Sequence, residues 1–175
     1  MALVTALVVS GCSDEGKDKP QSGPTSVPPS TQAPAPRPED TAGVQALDVY
    51  KQWRAYQLEI DGGTPIDEAT VTRLATGRAA DLLRRAAEQT AAEGITTHGP
   101  DGPLNPTVTV SLSASTPSVT IVDCMDVSRR YVTNRDGSPF TAPPQSPRYV
   151  KTFTLTTTND GWKIADMRSE RDRTC

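Results

Sequence analysis

The chain has 175 residues, and its 18 Lys and Arg against 21 Asp and Glu leave a formal net charge of −3 and a pI near 5.2. An acidic balance of this kind makes no basic field to draw in nucleic acid, so no nucleic-acid partner is expected. The length suits one domain with one core once an apolar start and a Pro-rich stretch are set aside, and three cysteines, an odd number, leave one with a task outside any pairing.

The first nine residues are almost wholly apolar. They are too few to cross a bilayer, which takes about 20 apolar residues, and fit the core of a signal peptide instead. The run closes as Leu7-Val8-Val9-Ser10-Gly11-Cys12, where two small residues let a peptidase reach the backbone just before the cysteine. This cluster resembles a bacterial lipobox. The resemblance implies that residues 1–12 are a signal-peptide remnant with its lipobox, that Cys12 carries a diacylglyceryl or palmitate-type lipid, and that the mature chain is anchored to the outer face of the cytoplasmic membrane. A signal peptide opens on Lys or Arg, and none precedes Cys12, so the true start is expected upstream of Met1. From 13 to 40 the chain is rich in Pro, Ser and Thr, with scarcely a large apolar residue. It cannot bury enough surface to offset its chain entropy and reads as a disordered spacer, at about 3.1 Å per residue where extended.

The domain is expected over 41–175. Ala42, Ala46, Val49, Trp53, Tyr56 and Ile60 recur at steps of three and four, the stripe of an amphipathic helix over 41–60 that ends at Asp61-Gly62-Gly63. Thr64-Pro65-Ile66-Asp67 restarts a helix to about Ala75, with Thr64 as cap, Pro65 in the first helical position and Asp67 reaching back to an unpaired N–H. A third helix over 78–93 packs Ala79, Leu82, Leu83, Ala86 and Ala87, and turns Arg84, Arg85 and Glu88 to solvent. The Arg84-Arg85 pair reads as a solvated face rather than an anion site.

Beyond Gly94 the pattern is that of strands: 95–98, then a Gly/Pro cluster, then 106–114 with Val108, Val110 and Leu112 alternating, and 118–127. A Pro-rich loop over 134–147 precedes 148–158, and Asn159-Asp160-Gly161 turns the chain into 162–168. Helices first and antiparallel strands after them make an α+β domain. That order, with the Asp123-Cys124-Met125-Asp126 strand, the Gly161-Trp162 hairpin and the terminal Cys175, resembles the nuclear-transport-factor-2-like superfamily as it occurs in actinobacterial-type lipoproteins. The resemblance implies three N-terminal helices packed on a curved antiparallel sheet, a cone-shaped, cystatin-like roll with a cavity inside. Its families include isomerases, dehydratases and polyketide cyclases as well as non-catalytic binding domains, so fold alone assigns no chemistry.

With Cys12 set apart, Cys124 and Cys175 are expected to pair as a disulfide in an oxidising compartment. The alternative, a catalytic cysteine, needs a base nearby, and the only histidine is His98 beside a Gly-Pro turn, where it is expected to be solvent-exposed. Alternation on the 118–127 strand puts Val119, Ile121, Asp123, Met125 and Val127 on one side. Asp123 is the odd carboxylate there. In the cavity of a cone a desolvated Asp acts as a general base, and with Trp53 or Tyr56 lining the same cavity it would make an isomerase-like pocket. The plainer reading is that Asp123 accepts hydrogen bonds from Thr, Arg or backbone, or pairs with Arg129 or Arg148. No phosphate-cradling loop, zinc-ligand spacing or nucleophile elbow is present, so no metal and no cofactor are expected. The function expected is that of a cell-envelope lipoprotein with a non-catalytic binding or accessory domain for an envelope protein, a wall component or a small ligand. The alternatives are an isomerase- or cyclase-like enzyme or ligand carrier built around Asp123, and a domain that dimerises through the open face of its sheet.

Overall fold

The computed structural model describes residues 36–141 and 146–175. The apolar start, Cys12 and nearly all of the Pro-rich spacer lie outside the described residues. Three helices, α1 (Pro38–Asp61), α2 (Glu68–Leu74) and α3 (Gly77–Glu93), precede six strands. These are β1 (Thr96–His98), β2 (Thr107–Ser111), β3 (Ser118–Asp126), β4 (Tyr131–Thr133), β5 (Arg148–Thr158) and β6 (Gly161–Glu170). Every pairing between strands is antiparallel, in a four-stranded sheet of order β2-β3-β5-β6 and a separate pair β1-β4. This is the α+β class that the order of periodicities predicts.

α1 begins three residues inside the stretch assigned to the spacer. Pro38 supplies a φ suited to the first helical turn, and Glu39 and Asp40 face the positive end of the helix dipole. Its buried stripe runs through Ala42, Ala46, Tyr50, Trp53, Tyr56 and Ile60, so Tyr50 takes the place expected of Val49, which is only half-buried. α2 starts a turn later than the Thr64-Pro65 reading has it. Asp67, a better cap than Thr, accepts the N–H of Thr70 at 2.9 Å, and the Tyr56 hydroxyl takes the Asp67 N–H at 2.6 Å and donates to its carbonyl at 3.2 Å. On α3 the buried residues are Ala79, Ala80 and Leu83, while Leu82 is half-buried and Ala86 exposed, a stripe rotated by about one residue from the expected one.

The inner face of the sheet presents Val119, Ile121, Phe153, Leu155 and Ile164, all fully buried against α1 and α3. Tyr50 meets Phe153 edge-on, with ring centroids 4.9 Å apart, and Trp53 is fully buried beside them. The interior of the roll is therefore packed with aromatic side chains. The outer face carries hydroxyls in register: Thr109, Thr120 and Thr154 lie abreast on β2, β3 and β5, and Thr107, Val122 and Thr152 in the next row. β-Branched polar residues keep the strand conformation and face water without making an apolar patch. β4 falls where no strand is expected. Its three residues pair with β1 and turn the connection after β3 back toward α3.

Candidate functional site

Asp123 lies on the inner face of β3, as its parity requires, and is 2% exposed. One carboxylate oxygen accepts the hydroxyl of Tyr50 and the other the backbone N–H of Asn105 at 3.1 Å. Burial, and then the hydrogen bond and charge of Asp123, push the Tyr50 phenol well above its ordinary range. Neither arginine offered as a partner reaches Asp123. Arg129 donates to the Asp101 carbonyl at 2.7 Å, and Arg148 lies 4.0 Å from Asp126. Of the three pocket residues read from the sequence, Trp53 and Asp123 sit in the packed interior and Tyr56 at its margin, its hydroxyl committed to the backbone of Asp67. They share a core and not a cavity. Tyr50, the residue that engages Asp123, was the one missed.

Cys124, on the opposite face of β3, is joined to Cys175 with S–S at 2.06 Å and Cα atoms 5.9 Å apart. The tail is also tied by the Arg173 carbonyl, which accepts the N–H of Val150 at 3.1 Å.

At one end of the roll α1 carries Arg54, a turn beyond Tyr50 and only 3% exposed. Its Nη2 pairs with the Asp101 carboxylate and its Nη1 donates to Gln57 at 2.9 Å. Arg130 donates to Asp61 at 2.6 Å and stands 3.5 Å from the other oxygen of Asp101. Lys151 is opposite Asp123 on β5, faces inward and is 6% exposed. Burial, reinforced by Arg54, lowers its ammonium pKa to about 8. A signal for this cluster was in the sequence: Arg54 interrupts the apolar stripe of α1, and Lys151 falls on the parity of Tyr149 and Phe153.

A cleft of about 630 Å³ opens on the flank, between the end of α1, α3 and the β1-β4 pair. Ile60, Pro65, Ile66, Ala87, Ala91 and Ile95 give it an apolar floor. Its polar rim is Glu88, His98, Thr133, Asn134 and Arg135. His98 is not a solvent-exposed turn residue: it ends β1, half-buried, with Nε2 2.9 Å from the Thr133 hydroxyl and its ring stacked on Tyr131 at 5.0 Å. Arg135 donates to the Ala91 carbonyl at 3.3 Å, which holds the guanidinium over the α3 side of the cleft. Among the described residues no three His, Cys, Asp or Glu side chains converge to hold a metal ion, and no helix is long and apolar enough to cross a membrane.

No protein-family model matches the chain, and no curated protein is similar to it in sequence. Among solved structures, the intermembrane space region of the chloroplast protein ARC6 superposes with a TM-score of 0.55 at 15% identity, over 74% of this chain and 96% of that one. Aln2 from a Streptomyces species aligns at 18% identity over 78% of this chain and 93% of its own, with a TM-score of 0.41. The first likeness is one of fold alone. Fold and site together define an α+β domain with a packed interior and a lateral cleft.

Proposed function

We propose that this chain is an extracytoplasmic lipoprotein whose domain is a non-catalytic binding module, holding a small amphipathic ligand in the cleft between α3 and the β1-β4 pair. The observation that carries the binding role is the contrast between two places. The interior around Asp123 is packed and each of its carboxylate oxygens accepts a hydrogen bond, whereas the lateral cleft has an apolar floor, a rim of a few polar groups and a volume within the range of small-molecule sites. The first of these speaks against an isomerase- or cyclase-like centre at Asp123. The envelope location rests on the Leu7-to-Cys12 cluster, on the spacer behind it and on a Cys124–Cys175 bridge suited to an oxidising compartment.

Two measurements test the reading. With its native upstream sequence, the wild-type chain is expected in the membrane fraction with diacylglyceryl on Cys12 by mass spectrometry, and Cys12→Ser is expected unlipidated and released. Unmodified Cys12 on membrane-bound wild type ends the lipoprotein reading. For the cleft, native mass spectrometry of chain purified from envelopes should retain a small molecule that Ala91→Trp, which fills the floor, loses at unchanged Tm. Retention by Ala91→Trp rejects the cleft.

A further inference from the structure

Among the described residues, three of the four buried charged residues, Arg54, Asp123 and Lys151, gather where α1 crosses β3 and β5. Into this end of the roll reaches Asp101, carried on the 99–106 connection between β1 and β2. Its carboxylate lies between two guanidinium groups, paired with Arg54 through one oxygen and 3.5 Å from Arg130 through the other. The pairing is incomplete. Nε of Arg54, Nε of Arg130 and Oδ1 of Asp101 are all buried without a hydrogen-bond partner among the described residues. Lys151 adds an ammonium that has neither a hydrogen bond nor an ion pair among those residues and rests 5.2 Å from the ring centroid of Phe153. Asp123 is bonded by two neutral donors, Tyr50 and Asn105, and pairs with no cation among the described residues, so the ion pairs of Arg54 and Arg130 run to Asp101 and Asp61 and Lys151 has none. Buried polar groups are normally satisfied, and guanidinium forks fit a carboxylate in shape and charge.

We infer that this end of the roll is a carboxylate-binding site that the chain fills with its own Asp101, and that a carboxylate-bearing small molecule binds Arg54, Arg130 and Lys151 by displacing the 99–106 loop. The resident side chain shows which ligand chemistry fits. Besides the pairing of Asp101 with the guanidinium groups, three hydrogen bonds among the described residues fasten the loop and open with it: Gly102 N–H to the Asp126 carbonyl at 2.7 Å, Arg129 to the Asp101 carbonyl at 2.7 Å and Asn105 N–H to Asp123 at 3.1 Å. A tethered carboxylate competes at high effective concentration, so the site is masked in the wild type and opens when Asp101 is replaced by a neutral side chain.

The test uses the full chain and succinate, with chloride at matched ionic strength as the control. Asp101→Asn is expected to bind succinate at least about tenfold more tightly than wild type by calorimetry, and to lose that gain when Arg54→Gln is added. In the wild type, succinate should move the backbone amide signals of residues 99–105 saturably. If Asp101→Asn does not fold, this titration decides alone. Shifts that follow ionic strength only, or an Asp101→Asn chain that folds and binds succinate no better than wild type, overturn the proposal. Tighter binding of inorganic phosphate than of succinate overturns the assignment to carboxylates.

Discussion

Lys151 keeps an amine inside the fold that water would rather keep charged. Burial, with Arg54 adding repulsion, brings its pKa to about 8 from the ordinary 10.5. The folded pKa lies below the unfolded one, so the destabilisation is complete below about pH 8 and fades as pH climbs from there toward the unfolded value. The difference corresponds to about 3 kcal/mol. Lys151→Met, which keeps the stem and removes the charge, is expected to stabilise the chain by up to about 3 kcal/mol at neutral pH. Urea unfolding should find that gain shrinking by about 2 kcal/mol between about pH 6 and about pH 9.5; a gain that does not change with pH would count against a buried ammonium. Asp123 answers the opposite substitution logic. Its oxygens satisfy Tyr50 and Asn105, so Asp123→Ala leaves the fully buried Tyr50 hydroxyl without a partner and should cost about 1–3 kcal/mol in urea unfolding. Loss of less than about 0.5 kcal/mol would mean that the carboxylate is not structural.

Among the elements, β3 is held twice: by α1 through Tyr50 on its inner face, and by the tail through Cys124 on its outer face. The bridge spans a sequence separation of 51, for which the chain-entropy model gives about 4 kcal/mol. The Cys124→Ala, Cys175→Ala chain should lose stability of that order, read as a fall in the urea midpoint against the oxidised wild type. An unchanged midpoint would show that the bond contributes nothing in solution. Most elements were legible because their periods are clean: the three- and four-step stripe of α1, the alternation of Val119 to Met125, and the Asn159-Asp160-Gly161 turn. What was not legible depends on tertiary placement. β4 is three residues long, too short to show a period, and is a strand only because β1 lies beside it. Asp67 and Thr64 are both capping residues, and the hydroxyl of Tyr56, eleven positions away, pins the backbone at Asp67. Parity placed Asp123 on the inner face, yet it does not say whether that face encloses space or aromatic rings. The loop that brings Asp101 to Arg54 has no period at all, so that pairing could not be read from the chain.

In the whole molecule, packing is concentrated between α1 and the sheet, while the cleft lies at the flank and the buried charges at the end of the roll. A net charge of −3 over 175 residues is modest, and inward-facing cations at Arg54, Arg130 and Lys151 sit in an otherwise acidic protein. The outer face of the sheet offers threonine hydroxyls where a stable sheet-to-sheet dimer would want an apolar patch. One rim is guarded less well. β6 is flanked by its bridge between Ala75 and Ile164, but β2 ends the sheet with Thr-Val-Thr-Val-Ser, five residues without a charge or a proline. Such an edge is a template for another copy of itself, and this bears on how the protein ages once purified. Prolonged warming below the midpoint is expected to produce fibrils seeded at residues 107–111. Thr109→Lys, which puts a charge on that edge, should lengthen the lag of thioflavin fluorescence several-fold with Tm unchanged. An unaltered lag would place the seed elsewhere in the chain.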